Sequence, residues 1–428
     1  METQQRPTVS PDRGALAARY TANRQRTAGL FRIPIPEAYE DRPIPLRLPI
    51  VFYDGHIPAF TYNTLMRGAL GRPSIDPLFE RIFERGIDPA TQDAAQPRVA
   101  PPSWPDREAV SGFAEQVDRA VLDAFANEEL SDAARSPLLD RAQAAYTILE
   151  HEDMHQETLM YLLHRLPYDR KRAQPAVPAA FEAQPAASGR VHVAAGEATL
   201  GARRDAVTFG WDNEVEETRQ RIDAFEIDVN SVTNADWLAF VRDGGPLPPF
   251  WREKDGEFEY LAQFEAVPLP PSWPVFVTWK QAADYATWRG GRLPTEGEYH
   301  RAAFGTPWGE ERRFPWGEAS PSRAHGNFGF QRFDPEPVGT RAAGASAWGI
   351  HDLIGNGWEW TSTVFAPLPG FEPMASYPLY STDFFDGEHY VMKGASPVTP
   401  TTLIRRSFRN WFRADYPYMY AKFRLVYD

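Results

Sequence analysis

Apolar residues recur at three- and four-residue steps through the first part of the chain. Val110, Phe113, Val117, Val121 and Phe125 form one such stripe, the pattern of a helix that buries one face in a bundle. Ser136 followed by Pro137 has the form of an N-cap and a first helical position. The pattern then runs through Leu139, Ala142, Ala145 and Leu149 until Pro167 stops it, predicting one long helix. Few strand signals interrupt this part. Between Lys171 and Arg190 the run KRAQPAVPAAFEAQPAASGR carries prolines and alanines without periodicity, which suits a linker. Beyond it come short apolar runs separated by Gly and Pro, with tryptophans spread through irregular sequence, as in a loop-rich α+β domain. Two helices are legible there, Asn234 to Arg242 with Thr233 as cap, and Lys280 to Trp288. The expectation is a multidomain α and α+β protein: a four-helix-type bundle over 1–170, a Pro/Ala-rich linker over 171–190 and a second domain over 191–428.

Composition narrows the chemistry. With 428 residues, 43% hydrophobic and 13% aromatic, the chain can bury more than one core. Its 58 acidic against 45 basic residues give a net charge of −13, which repels phosphate backbones and anionic lipid, so neither nucleic acid nor membrane is an expected partner. The start METQQRPTVSPDRG has no basic-then-apolar signal layout, and no apolar run approaches the ~20 residues of a membrane span, which predicts a cytoplasmic protein. Cysteine is absent, which excludes disulfides, thiolate metal sites and cysteine nucleophiles. Any metal must sit on His, Asp or Glu.

His151 and His155 stand four residues apart on the predicted long helix, so they differ by only about 40° around its axis and can hold one ion together. Glu157 lies about 200° from His155 and is better placed to support than to ligate. The letters HEDMH also match the zinc-protease pattern H-E-x-x-H, in which the glutamate, here Glu152, is the general base. The usual extension needs a glycine where Thr158 stands and a histidine where Tyr161 stands, and neither is present. Of the other histidines, His164 falls at the far end of the helix as a surface residue. His192, His300, His325, His351 and His389 are scattered structural residues, and His56 is the candidate third ligand.

These residues resemble the ergothioneine-type sulfoxide synthases, which join a DinB-like helical domain to a C-type-lectin-like domain of the formylglycine-generating-enzyme (sulfatase-modifying-factor) kind. In the second domain the resemblance rests on FGWDNE (Phe209 to Glu214), GGRLPTEGEYHRAAFG (Gly290 to Gly305), FPWG (Phe314 to Gly317), GIHDLIGNGWEWT (Gly349 to Thr361) and RRSFRNWFR (Arg405 to Arg413). Formylglycine generation itself needs cysteines that this chain lacks. The resemblance implies iron(II) on His56, His151 and His155, with O2 as co-substrate and hercynine, the trimethylated histidine, as substrate. Three neutral imidazoles leave coordination positions open for substrates. It implies further that Asn410 and Trp411 hold the amino-acid end of hercynine, an amide addressing the carboxylate and an aromatic face the quaternary ammonium. Tyr377 and Tyr380 are candidate catalytic proton donors, and a structural calcium would be a further cofactor.

Several positions depart from the family pattern. Where members that use γ-glutamylcysteine carry an acidic and a basic residue, this chain has Phe412 and Tyr416; Met154 replaces a glutamine that can bond the substrate imidazole; and the RGGSW turn is KGASP, Lys393 to Pro397. The stretch FYDGH is closer to the ovothiol branch, yet no methyltransferase domain follows. The selenoneine synthase branch, which couples a selenosugar to hercynine, has this size and needs no γ-glutamyl clamp, and it is the reading preferred here. Thiol coupling with cysteine or γ-glutamylcysteine is the alternative, with Arg405, Arg406 and Arg413 as substitutes for the missing cation. A sugar- or peptide-binding module without catalysis is a second alternative.

Overall fold

The computed structural model describes residues 11–84, 101, 103–173 and 189–428. The first ten residues of the start METQQRPTVSPDRG, which lacks a signal layout, and most of the linker assigned to 171–190 lie outside these residues. The chain divides into two compact units: Met1–Gln174 with Met374–Tyr380, and Pro175–Pro373 with Ser381–Asp428.

The first unit is a helical bundle. Its helices are α1 (Arg13–Leu30), α2 (Ile50–Thr61), α3 (Pro77–Ile82), α4 (Arg107–Asn127) and α5 (Gln143–His164). Asp12, Asp76 and Asp106 cap α1, α3 and α4 by accepting hydrogen bonds from backbone N–H groups of their first turns. Helices α1 and α2 each pack on α4 and on α5. The stripe Val110, Phe113, Val117, Val121 and Phe125 is buried, as its spacing predicts. The single helix expected from Ser136 to Pro167 is instead broken. Ser136 does cap a short 3-10 turn over Pro137–Ala142, but Asp140 turns extended and Arg141 and Ala142 take positive φ values of 51° and 57°, so α5 starts only at Gln143. His164, expected on the surface, is buried, and its carbonyl accepts from the Lys171 ammonium at 3.0 Å.

The second unit mixes short strands with three helices capped by threonines. In order it contains β1 (Arg190–Val193), β2 (Gly196–Leu200), β3 (Thr218–Ile222), β4 (Phe225–Asp228), α6 (Asn234–Arg242), β5 (Trp251–Lys254), β6 (Glu257–Leu261), β7 (Ala266–Pro268), α7 (Trp279–Arg289) and α8 (Glu296–Phe304). After these come β8 (Gly357–Val364), β9 (His389–Ala395), β10 (Asn410–Arg413), β11 (Ala421–Lys422) and β12 (Val426–Tyr427). Thr233, Thr278 and Thr295 each accept from the third residue of α6, α7 and α8, whose own side chain bonds back to the cap: a capping box at every one. The largest sheet has the order β10-β9-β8-β11, antiparallel except for β11 on β8. Val193, Ile227, Tyr299, Phe304, Ile350 and Leu353 belong to one buried apolar cluster of this unit. Among them runs a set of buried ion pairs. Glu359 binds Lys422 at 2.8 Å and Arg424 at 2.6 Å, and Glu296 binds Arg409 at 3.0 Å, so each charge removed from water has a partner.

Candidate metal centre

Helix α2 presents His56, and successive turns of α5 present His151 and His155. Their ligand nitrogens all lie within 4.8 Å of one another. His56 Nε2 stands 3.2 Å from His151 Nε2; three imidazoles meeting one ion at right angles, with bonds of ~2.1 Å, place adjacent donors about 3 Å apart. The other nitrogen of His56, Nδ1, is 2.7 Å from the Phe83 carbonyl. A carbonyl can only accept, so Nδ1 carries the proton and Nε2 keeps its lone pair for a ligand.

Burial sets the charge state. It pushes the His56 imidazole down to about 4, against the opposing pull of the Phe83 carbonyl. Burial also holds His151 and His155 well below the usual histidine range, with repulsion from neighbouring imidazoles adding to it, and Arg47 contributing at His155. All three are neutral near pH 7. The donors are three neutral imidazoles with no carboxylate among them, a set that suits a divalent transition metal and leaves positions for substrates. Aromatic rings wall the group: Phe60 stacks on His151 at 3.5 Å, Phe52 on His56 at 5.1 Å, and Tyr53 tilts over His155 at 5.7 Å.

The other faces of α5 are tied to α1. Glu152 accepts from Thr27 at 2.6 Å and Arg24 at 2.9 Å, Asp153 from Arg19 at 2.8 Å, and Gln156 from Arg26 at 2.8 Å. Glu152 therefore has its carboxylate engaged on the α1 side, and the H-E-x-x-H protease reading loses its base. Glu157 accepts a hydrogen bond from Tyr161 one turn on.

The stretch Met374–Tyr380 supplies the remaining neighbours, as part of the same unit. Ser376 bonds the Thr147 hydroxyl at 2.7 Å, and its N–H donates to Gln143 at 3.1 Å. Tyr377 packs against Phe60 and His151, with ring centroids 5.2 and 6.3 Å apart. The Tyr380 hydroxyl donates to the Met154 thioether at 3.2 Å. Met154, Tyr377 and Tyr380 are thus brought together beside the histidines. Sequence reasoning missed Phe52 and Phe60, although each is four residues from His56 and so on its face. It missed Phe83 too, for which no sequence signal exists.

The other predicted site residues belong to the second unit. Asn410, Trp411, Phe412 and Arg413 form β10, at the edge of its sheet, all half-buried. The Trp411 ring stacks on Phe365 at 4.2 Å, and the Trp411 backbone N–H donates to the Asn410 side-chain oxygen at 2.9 Å. Phe412 and Tyr416 stack on each other at 4.9 Å. The three arginines considered as substitute cations are each committed to acids. Arg405 pairs with Glu214 at 2.7 Å, Arg406 with Glu311 at 3.0 Å, and Arg413 with Asp386 at 3.3 Å and with Glu388.

Residues 19–159 match the DinB superfamily and residues 175–428 the sulfatase-modifying factor enzyme 1-like domain. A helical unit carrying three clustered histidines and a loop-rich unit together define a two-domain class. Hercynine oxygenase of Mycolicibacterium thermoresistibile is 32% identical over 98% of this chain and 96% of its own length. That of Mycobacterium tuberculosis is 33% identical over 90% and 92%. Ergothioneine biosynthesis protein 1 of Neurospora crassa is 28% identical over 91% of this chain and 55% of its own. The chain belongs to the ergothioneine-type sulfoxide synthase family. It is an enzyme, which sets aside the non-catalytic binding module.

Proposed function

We propose that this enzyme joins selenium or sulfur to the imidazole C2 of hercynine, using O2 and iron(II) held by His56, His151 and His155, and that its donor is a selenosugar. The buried trio of neutral imidazoles carries the reading, supported by relatives named hercynine oxygenase that align over nearly the whole chain. Iron(II) supplies the oxygen chemistry that an unreactive imidazole carbon requires. The reaction balances as hercynine plus R–SeH plus O2 giving R–Se(=O)–hercynine and water. The C2–H and Se–H hydrogens leave as water with one oxygen atom, and the other oxygen ends on selenium.

The chain's residues bind, orient and protonate. Asn410 and Trp411 anchor hercynine: the Asn410 oxygen is held by the Trp411 backbone N–H, leaving its NH2 for the carboxylate, and the indole suits the trimethylammonium. With iron bound, Asn410→Ala and Trp411→Ala should each weaken hercynine binding while iron content stays that of the parent; parental affinity would remove them from this role. Half-buried Phe412, stacked on the buried Tyr416, is the ring with aromatic surface for a sugar. Arg405, Arg406 and Arg413 are all ion-paired to acids of this chain, and a γ-glutamyl carboxylate buried without a cation would cost more than the ~1–3 kcal/mol of a neutral polar group.

The second reading is thiol coupling, favoured by relatives named for ergothioneine biosynthesis. One assay decides. Iron-loaded enzyme, hercynine and O2 are mixed with equal selenosugar, thiosugar, cysteine and γ-glutamylcysteine, and products are read by mass. The selenosugar adduct should dominate. Exclusive coupling to cysteine or γ-glutamylcysteine would sink the selenium reading.

A further inference from the structure

We infer that Gly55 and Phe83 are positioning residues for His56: the missing side chain at Gly55 lets Phe83 come close enough for its carbonyl to fix the imidazole as the Nδ1–H tautomer with Nε2 directed to the metal. A Cβ built at Gly55 would lie 2.4–2.5 Å from the Phe83 ring atoms Cε2, Cδ2 and Cζ, far inside contact distance. Both residues are buried, and the Phe83 ring is wedged among Phe52, Phe79 and Trp104, with centroids 6.2, 5.6 and 5.8 Å away. It has no room to retreat. Phe52 in turn stacks on His56, so ring and carbonyl fix the imidazole from two sides. Gly55 has an ordinary helical backbone, so conformation does not demand glycine there and the close approach of Phe83 does. The hydrogen bond to a carbonyl is the usual device by which the nitrogen away from a metal sets a histidine's orientation and basicity.

This inference rests on the metal-site reading, and the test separates the two. Binding of Fe(II), and of Co(II) as a spectroscopic probe, is measured under anaerobic conditions on purified parent, His56→Ala, Gly55→Ala and Gly55→Ala/Phe83→Leu proteins. A parent that binds no ion, or a His56→Ala protein that binds like the parent, overturns the metal site itself. If the parent binds and His56→Ala does not, Gly55→Ala should bind about 10–100-fold more weakly. The double variant, whose leucine can rotate off the new Cβ while the backbone carbonyl remains, should recover most of the affinity. A merely structural role predicts the opposite, because the leucine truncates a packed ring and lowers thermal stability further. Gly55→Ala binding like the parent, or a double variant as weak as Gly55→Ala, overturns the positioning role. Should Gly55→Ala fail to fold, 15N spectra of the parent's histidines still decide: His56 protonated at Nδ1 supports the inference, and protonation at Nε2 refutes it.

Discussion

A histidine binds a metal only when its nitrogen is free of a proton, and at His56, His151 and His155 burial enforces that state before any ion arrives. Alanine at any of the three should therefore remove most of the iron from folded protein, as read by metal analysis beside circular dichroism. The same burial has a price in acid. An imidazole in the unfolded chain titrates near ~6.5, whereas folded His56 is held to about 4. As pH falls, the unfolded chain takes the proton first. His56 thus contributes its full stability above ~6.5 and loses it progressively toward pH 4. Urea titrations of metal-free protein should show stability falling through this window, and His56→Gln should flatten the fall; an unchanged slope would contradict the depressed value. The histidine pair was legible because four-residue spacing on a helix fixes a shared face. Phe60 and Phe52 were missed, although each stands four residues from His56 on what proves to be a helix. The Phe83 carbonyl was not, because a backbone group brought in by tertiary packing leaves no mark in the residue types.

At the scale of elements, α5 divides its work by face: histidines on one side, and Glu152, Asp153 and Gln156 turned to α1. Glu152 and Arg24 are largely buried, with 1% and 16% of their side chains exposed, and Arg24 keeps a second partner in Asp118 at 3.0 Å, so removing Glu152 leaves Arg24 one acceptor short. Glu152→Ala should cost about 1.5–3 kcal/mol of unfolding free energy. Glu152→Leu with Arg24→Met should recover much of it, as read by denaturant titration, and the folded variants should still bind metal. A protease base would behave otherwise, since its loss would abolish a peptidase activity without unfolding the chain. The apolar stripe of α4 and the Thr233 cap of α6 were read from sequence, because spacing and capping chemistry are local; the caps Thr278 and Thr295 and helix α8 carry the same kind of signal and were missed. The break at Asp140 to Ala142 does not, since Arg141 and Ala142 adopt left-handed backbone that neither residue type favours. The short strands of the second unit were legible only as a class, and their order depends on pairings between distant segments.

Over the whole chain, one segment leaves its sequence neighbours: Met374–Tyr380 belongs to the helical unit, while the residues on either side belong to the other. No periodicity announces this, yet it brings two phenols to the histidine site. They are not equivalent. Tyr380 spends its proton on the Met154 thioether, a weak acceptor that nonetheless fixes the hydroxyl, whereas Tyr377 packs directly on Phe60 and His151. If a phenol supplies a proton during O2 reduction, Tyr377 is the better placed, and Tyr380 acts on the pocket through Met154. Tyr377→Phe should slow coupling on the order of 10²-fold or more and divert turnover toward oxidation of the donor alone, with iron content and hercynine affinity kept. Tyr380→Phe should change the product partition less. Single-turnover reactions with mass detection of coupled and uncoupled products measure both. The same partition in parent and Tyr377→Phe would remove the phenol from the proton path, and a larger effect at Tyr380 than at Tyr377 would reverse the assignment.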